Sequence, residues 1–359
     1  MEHRLRTRPR GEQRGPTAQT VFRQALLARG YGRHVSPRAR TYLFVALAAA
    51  GAAALVVGTV AFTRTSTGGA TSTRAQTTPT ARSRAPALVL DLGVRTDPEA
   101  VALRRANRLY AAGKRRDAGR IFARYRSVQA QVGAALAAWP NGTVTRLERL
   151  ADRYPASALV LLHLGLVRVA SGLTSAAQAA WRQALARDPD REAAVQAESL
   201  LYPTFAPGRP PFVPSFAVPA SVARLLPPRQ FAALARAARG DDVRAKLLYG
   251  SALQRLGRGV SAEREFAAAA RLAPGSAEAQ TAAAVGLFSK ATPALAFSRL
   301  GPLAPRFPRS QSVRFHLGEL LIWIGQLQKA RQELELAYAG GKTTTLGKTA
   351  QAFLAKLPQ

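Results

Sequence analysis

Small, large apolar and helix-breaking positions recur along residues 243–344 with a step of 34. Gly250, Ala284 and Gly318 share one slot, Ala262, Ala296 and Ala330 a second, and Phe266, Leu300 and Leu334 a third. Ala269, Leu303 and Ala337 share a fourth, and Pro274 and Pro308 a fifth. Within each unit this pattern predicts a helix A, a tight turn and a helix B. The small residue on helix A marks the point where helix B crosses closest, and the large apolar residue on helix B fills the space beside it. Gly257, Ala291 and Gly325 fall seven residues after that small residue, where helix A must end. Glycine tolerates the left-handed conformation that closes a helix. The prolines stop helix B. Neither helix can bury its apolar face alone, so the units must stack.

The same ruler extends backwards. Leu161, Leu164, Gly165, Gly172, Ala177, Trp181, Ala184 and Pro189 fill the slots of a unit at 158–191, and Leu147, Leu150 and Pro155 those of a weaker unit at 124–157. Ala106, Leu109, Gly113, Ala118 and Phe122 outline another at 99–123. Its distance to the next unit is not 34, so a long shared helix is expected around 115–138. Between 192 and 242 the pattern is interrupted. Glu192–Leu201 reads as a helix A and Arg229–Arg239 as a helix B. Between them Pro203, Pro207, Pro210, Pro211, Pro214, Pro219, Pro227 and Pro228 leave no room for a helix, so 202–228 is an inserted loop. Residues 349–357 read as a closing helix over the last apolar face.

A 34-residue period with two small slots and a large apolar residue four positions after the second resembles the tetratricopeptide repeat (TPR). The resemblance implies an all-α, TPR-type helical solenoid over 97–356. Its units fall near 99–123, 124–157, 158–191, 192–242, 243–276, 277–310 and 311–344. The scaffold serves many unrelated tasks, so it implies protein or peptide binding without naming the partner.

A second apolar pattern differs in kind. Tyr42–Phe62, YLFVALAAAGAAALVVGTVAF, contains no charged residue. About 20 residues at about 1.5 Å each cross about 30 Å of hydrocarbon. A secretory signal peptide would have a shorter apolar region, a shorter basic segment and a small-residue cleavage site after it. A buried soluble helix would carry a polar stripe. The stretch is therefore taken as a single uncleaved transmembrane helix. The preceding 41 residues hold ten arginines against Glu2 and Glu12, whereas Arg64, Arg74, Arg82 and Arg84 follow the span. This bias puts the N-terminus in the cytoplasm and the solenoid outside the cytoplasmic membrane. Residues 63–96 form the linker between span and solenoid, and Thr, Ser, Gly and Arg over 63–87 make it flexible.

Charge modifies this picture only partly. The formal net charge is +32, from 52 Lys and Arg against 20 Asp and Glu. Arginine far outnumbers lysine and alanine is abundant, a pairing that matches codon bias in a GC-rich bacterium. The basic tail 1–41 would lie near anionic lipid, with about 1 kcal/mol per basic residue close to the surface. Thr17–Arg29 reads either as a short amphipathic helix or as part of a disordered tail that only sets topology. Nucleic acid is disfavoured, because the basic residues of 97–359 are spread around the helices with no recognition-helix or zinc-finger spacing. Cysteine is absent, which excludes disulfides and thiol chemistry.

Catalytic patterns are missing, so the chain is not expected to be an enzyme or to need a cofactor or metal. The four histidines, His3, His34, His163 and His316, form no H-E-x-x-H or triad arrangement. GGKTTTLGKT at 340–349 fails the spacing of a phosphate-binding loop and follows a helix. Asn141-Gly142-Thr143 reads as a turn before a helix. The TPR resemblance instead implies a concave groove lined by helix A positions two, five, six, nine, twelve and thirteen. Carried over, these are Leu247, Leu248, Ser251, Gln254 and Arg255; then Val285 and Phe288; then Phe315, His316, Glu319, Ile322 and Trp323. His163 occupies the sixth slot of its own helix A. Aromatic and arginine side chains suit a peptide surface, with Phe288 and Trp323 as anchors. Two states remain open: a groove open to a partner, or one covered by the proline-rich insertion or the closing helix. The clamp of chaperone-binding TPR domains is absent, since its positions hold Leu247, Ser251, Ala282, Ser312 and His316.

The expected function is a membrane-anchored protein- or peptide-binding scaffold outside the cytoplasmic membrane, serving assembly of an envelope complex. It resembles, in layout only, bacterial assembly factors with one span followed by a TPR domain. The alternative is a cytoplasm-facing scaffold or regulator that binds polyanions through its basic surface.

Overall fold

A computed structural model describes residues 85–357. The basic tail 1–41, the expected span Tyr42–Phe62 and the linker up to residue 84 lie outside the described residues. Among the described residues every regular element is a helix, and no helix is long and apolar enough to cross a membrane.

Helices α1 (Pro98–Ala111) and α2 (Arg115–Phe122) form the first pair, followed by α3 (Val128–Ala137) with α4 (Thr143–Arg153) and α5 (Ala158–Ala170) with α6 (Thr174–Arg187). After α7 (Glu192–Leu201) comes the insertion, then the short α8 (Ala220–Ala223) and α9 (Pro227–Ala237). The C-terminal pairs are α10 (Val243–Arg255) with α11 (Gly259–Leu272), α12 (Ala277–Gly286) with α13 (Ala294–Leu300) and α14 (Leu303–Arg306), and α15 (Gln311–Trp323) with α16 (Leu327–Ala339). Helix α17 (Thr345–Leu354) closes the stack. Successive helices pack mainly on their neighbours in sequence, as stacked helix pairs do.

Local chemistry sets the boundaries. Asp242, Ser276 and Ser310, again 34 apart, each accept a backbone N–H from the first turn of α10, α12 and α15. Asp97, Ser127 and Ser157 do the same for α1, α3 and α5. Gly257 and Gly325 close α10 and α15 with φ of +69° and +80°. The middle unit has Ala291 in that slot, and its helix A, α12, stops short at Gly286. The small slot is equally physical. A Cβ on Gly250 would strike the ring of Phe266, one on Gly165 the indole of Trp181, and one on Gly318 would lie 2.8 Å from Leu334 Cγ.

Three expectations are corrected. Residues 115–138 are two helices, not one, because Ser127 caps α3 and Phe122 must fold over Gly133, 2.6 Å from where its Cβ would be. Residues 85–96 are not free linker: Leu88, Val89, Leu90 and Leu92 pack into the N-terminal core. Nor do α7 and α9 pack as the two halves of one unit. Ala193, Ala194 and Ala197 of α7 join the N-terminal core, whereas Leu234 of α9 packs on Leu248 and Ala252 of α10. The proline-rich insertion that separates them follows its own course across the C-terminal helices.

The core is divided accordingly. One cluster runs from Leu92 to Ala197 and another from Ala206 to Trp323, with two smaller ones on the C-terminal side, under the closing helix and between α9 and α10. The contacts joining them are largely polar. Asp190 accepts the N–H and hydroxyl of Ser261, and Glu198 accepts the N–H of Lys290 at 3.0 Å.

Candidate functional site

The face of α10, α12 and α15 that the TPR resemblance marks as a groove is covered by the chain itself. Residues 205–216 of the insertion cross it without helical structure. Between Pro210 and Pro214 only Phe212 and Val213 have an N–H to donate, and both are used. Phe212 N–H donates to Gln254 Oε1 at 2.8 Å and Val213 N–H to His316 Nε2 at 2.9 Å. Ser251 Oγ donates to Phe212 O at 3.3 Å. Ser215 donates its N–H and hydroxyl to the two carboxylate oxygens of Glu278, at 2.5 and 2.7 Å. The Phe212 ring stacks on His316 with centroids 4.9 Å apart and meets Phe266 edge-on at 5.3 Å. Arg244 lies over the Phe216 ring.

The start of the insertion is fastened by buried charge. Arg209 pairs with Glu198 at 2.7 Å. Lys290 is buried, and its Nζ donates to Ala206 O at 2.7 Å and Ser199 Oγ at 2.8 Å. Burial pulls the Lys290 pKa down to about 8, against the opposing pull of Glu198.

The N-terminal groove repeats the arrangement. Val89 N–H donates to His163 Nε2 at 3.1 Å. Tyr110 donates its hydroxyl to Pro86 O at 2.6 Å and Gln129 its amide to Asp91 O at 3.3 Å. In both histidines Nδ1 lies 2.7 Å from a carbonyl four residues earlier, Leu159 O or Ser312 O. A carbonyl only accepts, so Nδ1 carries the proton and Nε2 is left as the acceptor for a main-chain N–H. Both nitrogens of each ring are thereby engaged, which leaves none for a metal or for proton transfer. Desolvation holds both pKa values down at about 4, so the rings are neutral at pH 7. Among the described residues no group of three or more His, Asp or Glu converges as a metal set would.

The remaining groove residues divide. Leu247, Val285, Phe288 and Trp323 lie in the cluster under the insertion, where Phe288 and Trp323, expected as free anchors, meet edge-on at 5.7 Å and are 2% and 8% exposed. Leu248 turns toward α9, and Phe315 and Ile322 turn toward the closing helix, with Phe315 and Phe353 rings 5.9 Å apart. Arg255 is exposed. Glu319 is buried with one carboxylate oxygen unpartnered, and desolvation raises its pKa well above the ordinary value. Sequence reasoning missed Glu278, Glu198, Lys290, Tyr110 and Gln129. A signal was present: Pro86-Ala87-Leu88-Val89 and Pro210-Pro211-Phe212-Val213 share the form Pro-x-(Leu or Phe)-Val. At 340–349, Thr344 accepts Gly347 N–H and caps α17, the work of a helix start and not of a phosphate cradle.

No family model and no curated protein matches the chain. Solved structures similar to it include yeast Tom70, at 13% identity over 76% of this chain and 51% of that one, with a TM-score of 0.31. The Cut9–Hcn1 hetero-tetramer of the APC/C matches at 14%, over 73% and 56%, with a score of 0.25. The TPR2AB domain of yeast Sti1 in its complex with pHSP90 matches at 13%, over 73% and 98%, with a score of 0.26. The chain thus spans little more than half the length of the first two. Its own stacked helix pairs and 34-residue register define it as a TPR-type helical solenoid.

Proposed function

We propose that this protein is a membrane-anchored scaffold whose solenoid holds a protein or peptide partner outside the cytoplasmic membrane, in the assembly of an envelope complex. The observation that carries the binding part is the C-terminal groove, where Gln254, His316 and Glu278 accept main-chain N–H groups from an extended segment beside an aromatic pocket. Side-chain acceptors paired with main-chain donors are the chemistry of peptide recognition. The uncharged stretch Tyr42–Phe62 and the arginine-dense tail before it support the anchor and its orientation.

The test is capture of envelope proteins by the full chain in detergent. A Gln254→Ala, Glu278→Ala variant is compared with one lacking a solvated arginine such as Arg120, whose side chain is 77% exposed. Loss of partner with the groove variant alone supports the reading. Salt-sensitive loss with the arginine variant alone would reject it and favour the polyanion-binding alternative.

A further inference from the structure

The same short pattern enters both grooves. Pro86-Ala87-Leu88-Val89 reaches the N-terminal groove as the entry into α1, and Pro210-Pro211-Phe212-Val213 reaches the C-terminal groove as a loop between α7 and α8. Their connections to the chain differ, yet each ends with a valine N–H on the Nε2 of a histidine in the sixth slot of a helix A. A fixed structural strut has no need to repeat its sequence, whereas a recognition site selects one. The C-terminal groove is formed by α10, α12 and α15, and the insertion adds Ala206 and Phe212 to their apolar cluster. The insertion's polar ties to α10, α12 and α15 all run to side chains: Gln254, Ser251, His316 and Glu278.

We propose that residues 209–216 are a built-in occupant of the C-terminal groove, and that the partner is a protein presenting an extended Pro-x-(Leu or Phe)-Val segment that displaces them. The inference rests on the groove reading above and supplies its ligand class. Proline three positions before the valine fixes φ, favours the extended form and lacks an N–H of its own. The aromatic or leucine side chain enters the space between His316 and Phe266. The valine N–H is read by His316, whose tautomer the Ser312 carbonyl sets. A tethered occupant competes at high effective concentration, so the groove stays shut to weak ligands and opens to a matching one.

The probe is a fluorescein-labelled peptide of residues 208–217, added to the full chain in detergent and followed by anisotropy. Phe212→Ala weakens the built-in occupant and leaves Gln254, Glu278 and His316 in place. We expect the peptide to bind this variant about tenfold or more tighter than it binds the wild type, since the tethered competitor is weakened. N-methylation of the peptide's valine should abolish that gain, because it removes the donor to His316. No binding to a Phe212→Ala chain that keeps its helix content, or equal binding of the N-methylated peptide, overturns the proposal. If Phe212→Ala unfolds the chain, the Arg209→Ala, Ser215→Ala pair removes the Arg209 ion pair and the Ser215 hydroxyl bond, loosens both ends of the segment and gives the same readout. Peptide-sensitive dimers formed by the variant would mean that a second copy supplies the segment, which also overturns the partner assignment. The two proposals fail separately. Peptide binding needs no cellular partner, whereas capture by the wild type can depend on Gln254 and Glu278 even if the peptide never binds.

Discussion

Gly250 and Gly318 are pressed by the large side chains that face them, Phe266 and Leu334. Any side chain at these points must push two helices apart. Gly250→Leu and Gly318→Leu should each destabilise the solenoid by roughly 1–3 kcal/mol or more, as overpacking does. Thermal melts of the full chain in detergent check this, and unchanged melting of both would overturn the crossing assigned to that slot. The two groove histidines make a different prediction. Above pH 6.5 they are neutral in the folded and unfolded chain alike. As pH falls below that value the unfolded chain binds protons that the folded chain refuses until about pH 4. Stability is therefore present at pH 7 and lost across that window, by up to roughly 3 kcal/mol for each ring. Denaturant unfolding at pH 7, 5.5 and 4.5 should show a smaller loss for His316→Gln, whose amide oxygen can still accept the Val213 N–H.

At the scale of elements, Glu198 near the end of α7 bonds both Arg209 at the start of the insertion and the Lys290 N–H after α12. Glu198→Ala leaves a buried N–H without its acceptor and frees Arg209. It should cost roughly 2–4 kcal/mol, as removing one member of a buried pair does, and thermal melts would show it. The helix pairs around Gly250/Phe266 and Gly318/Leu334 were legible in the sequence because their contacts lie within one 34-residue unit. So were the helix ends at Gly257 and Gly325. The course of the insertion was not, because its partners lie far along the chain: Val213 meets His316 at a separation of 103 residues. The sequence left two states open for the groove, and the one with 202–228 across it is the one seen. The prolines announced the lack of helix over 202–219, though not the short α8 at Ala220–Ala223 or the start of α9 at Pro227, and they said nothing of where the segment would lie. The pairing of α7 with α9 failed for the same reason, since periodicity cannot tell a loop that returns to its partner from one that carries the next helix away.

For the whole molecule, the proposed topology has a direct check. A reporter active only outside the cytoplasm should work when fused after Gln359, given the arginine bias before Tyr42. Activity confined to a cytoplasmic reporter at that site would reverse the orientation. The division of the core carries a further consequence. The apolar cluster of Leu92–Ala197 and that of Ala206–Trp323 meet through Asp190, Ser261, Glu198 and Lys290. Hydrogen bonds transmit less cooperativity than continuous apolar packing, so the two halves should behave as separate foldons. Amide exchange on the full chain would then show two sets of protection, breaking between α7 and α10, instead of one global opening. A solenoid of this kind can stay folded at its far end while its near end opens. Were the proposed anchor to transmit a load, the N-terminal half would yield first and the helices of the C-terminal groove would stay folded.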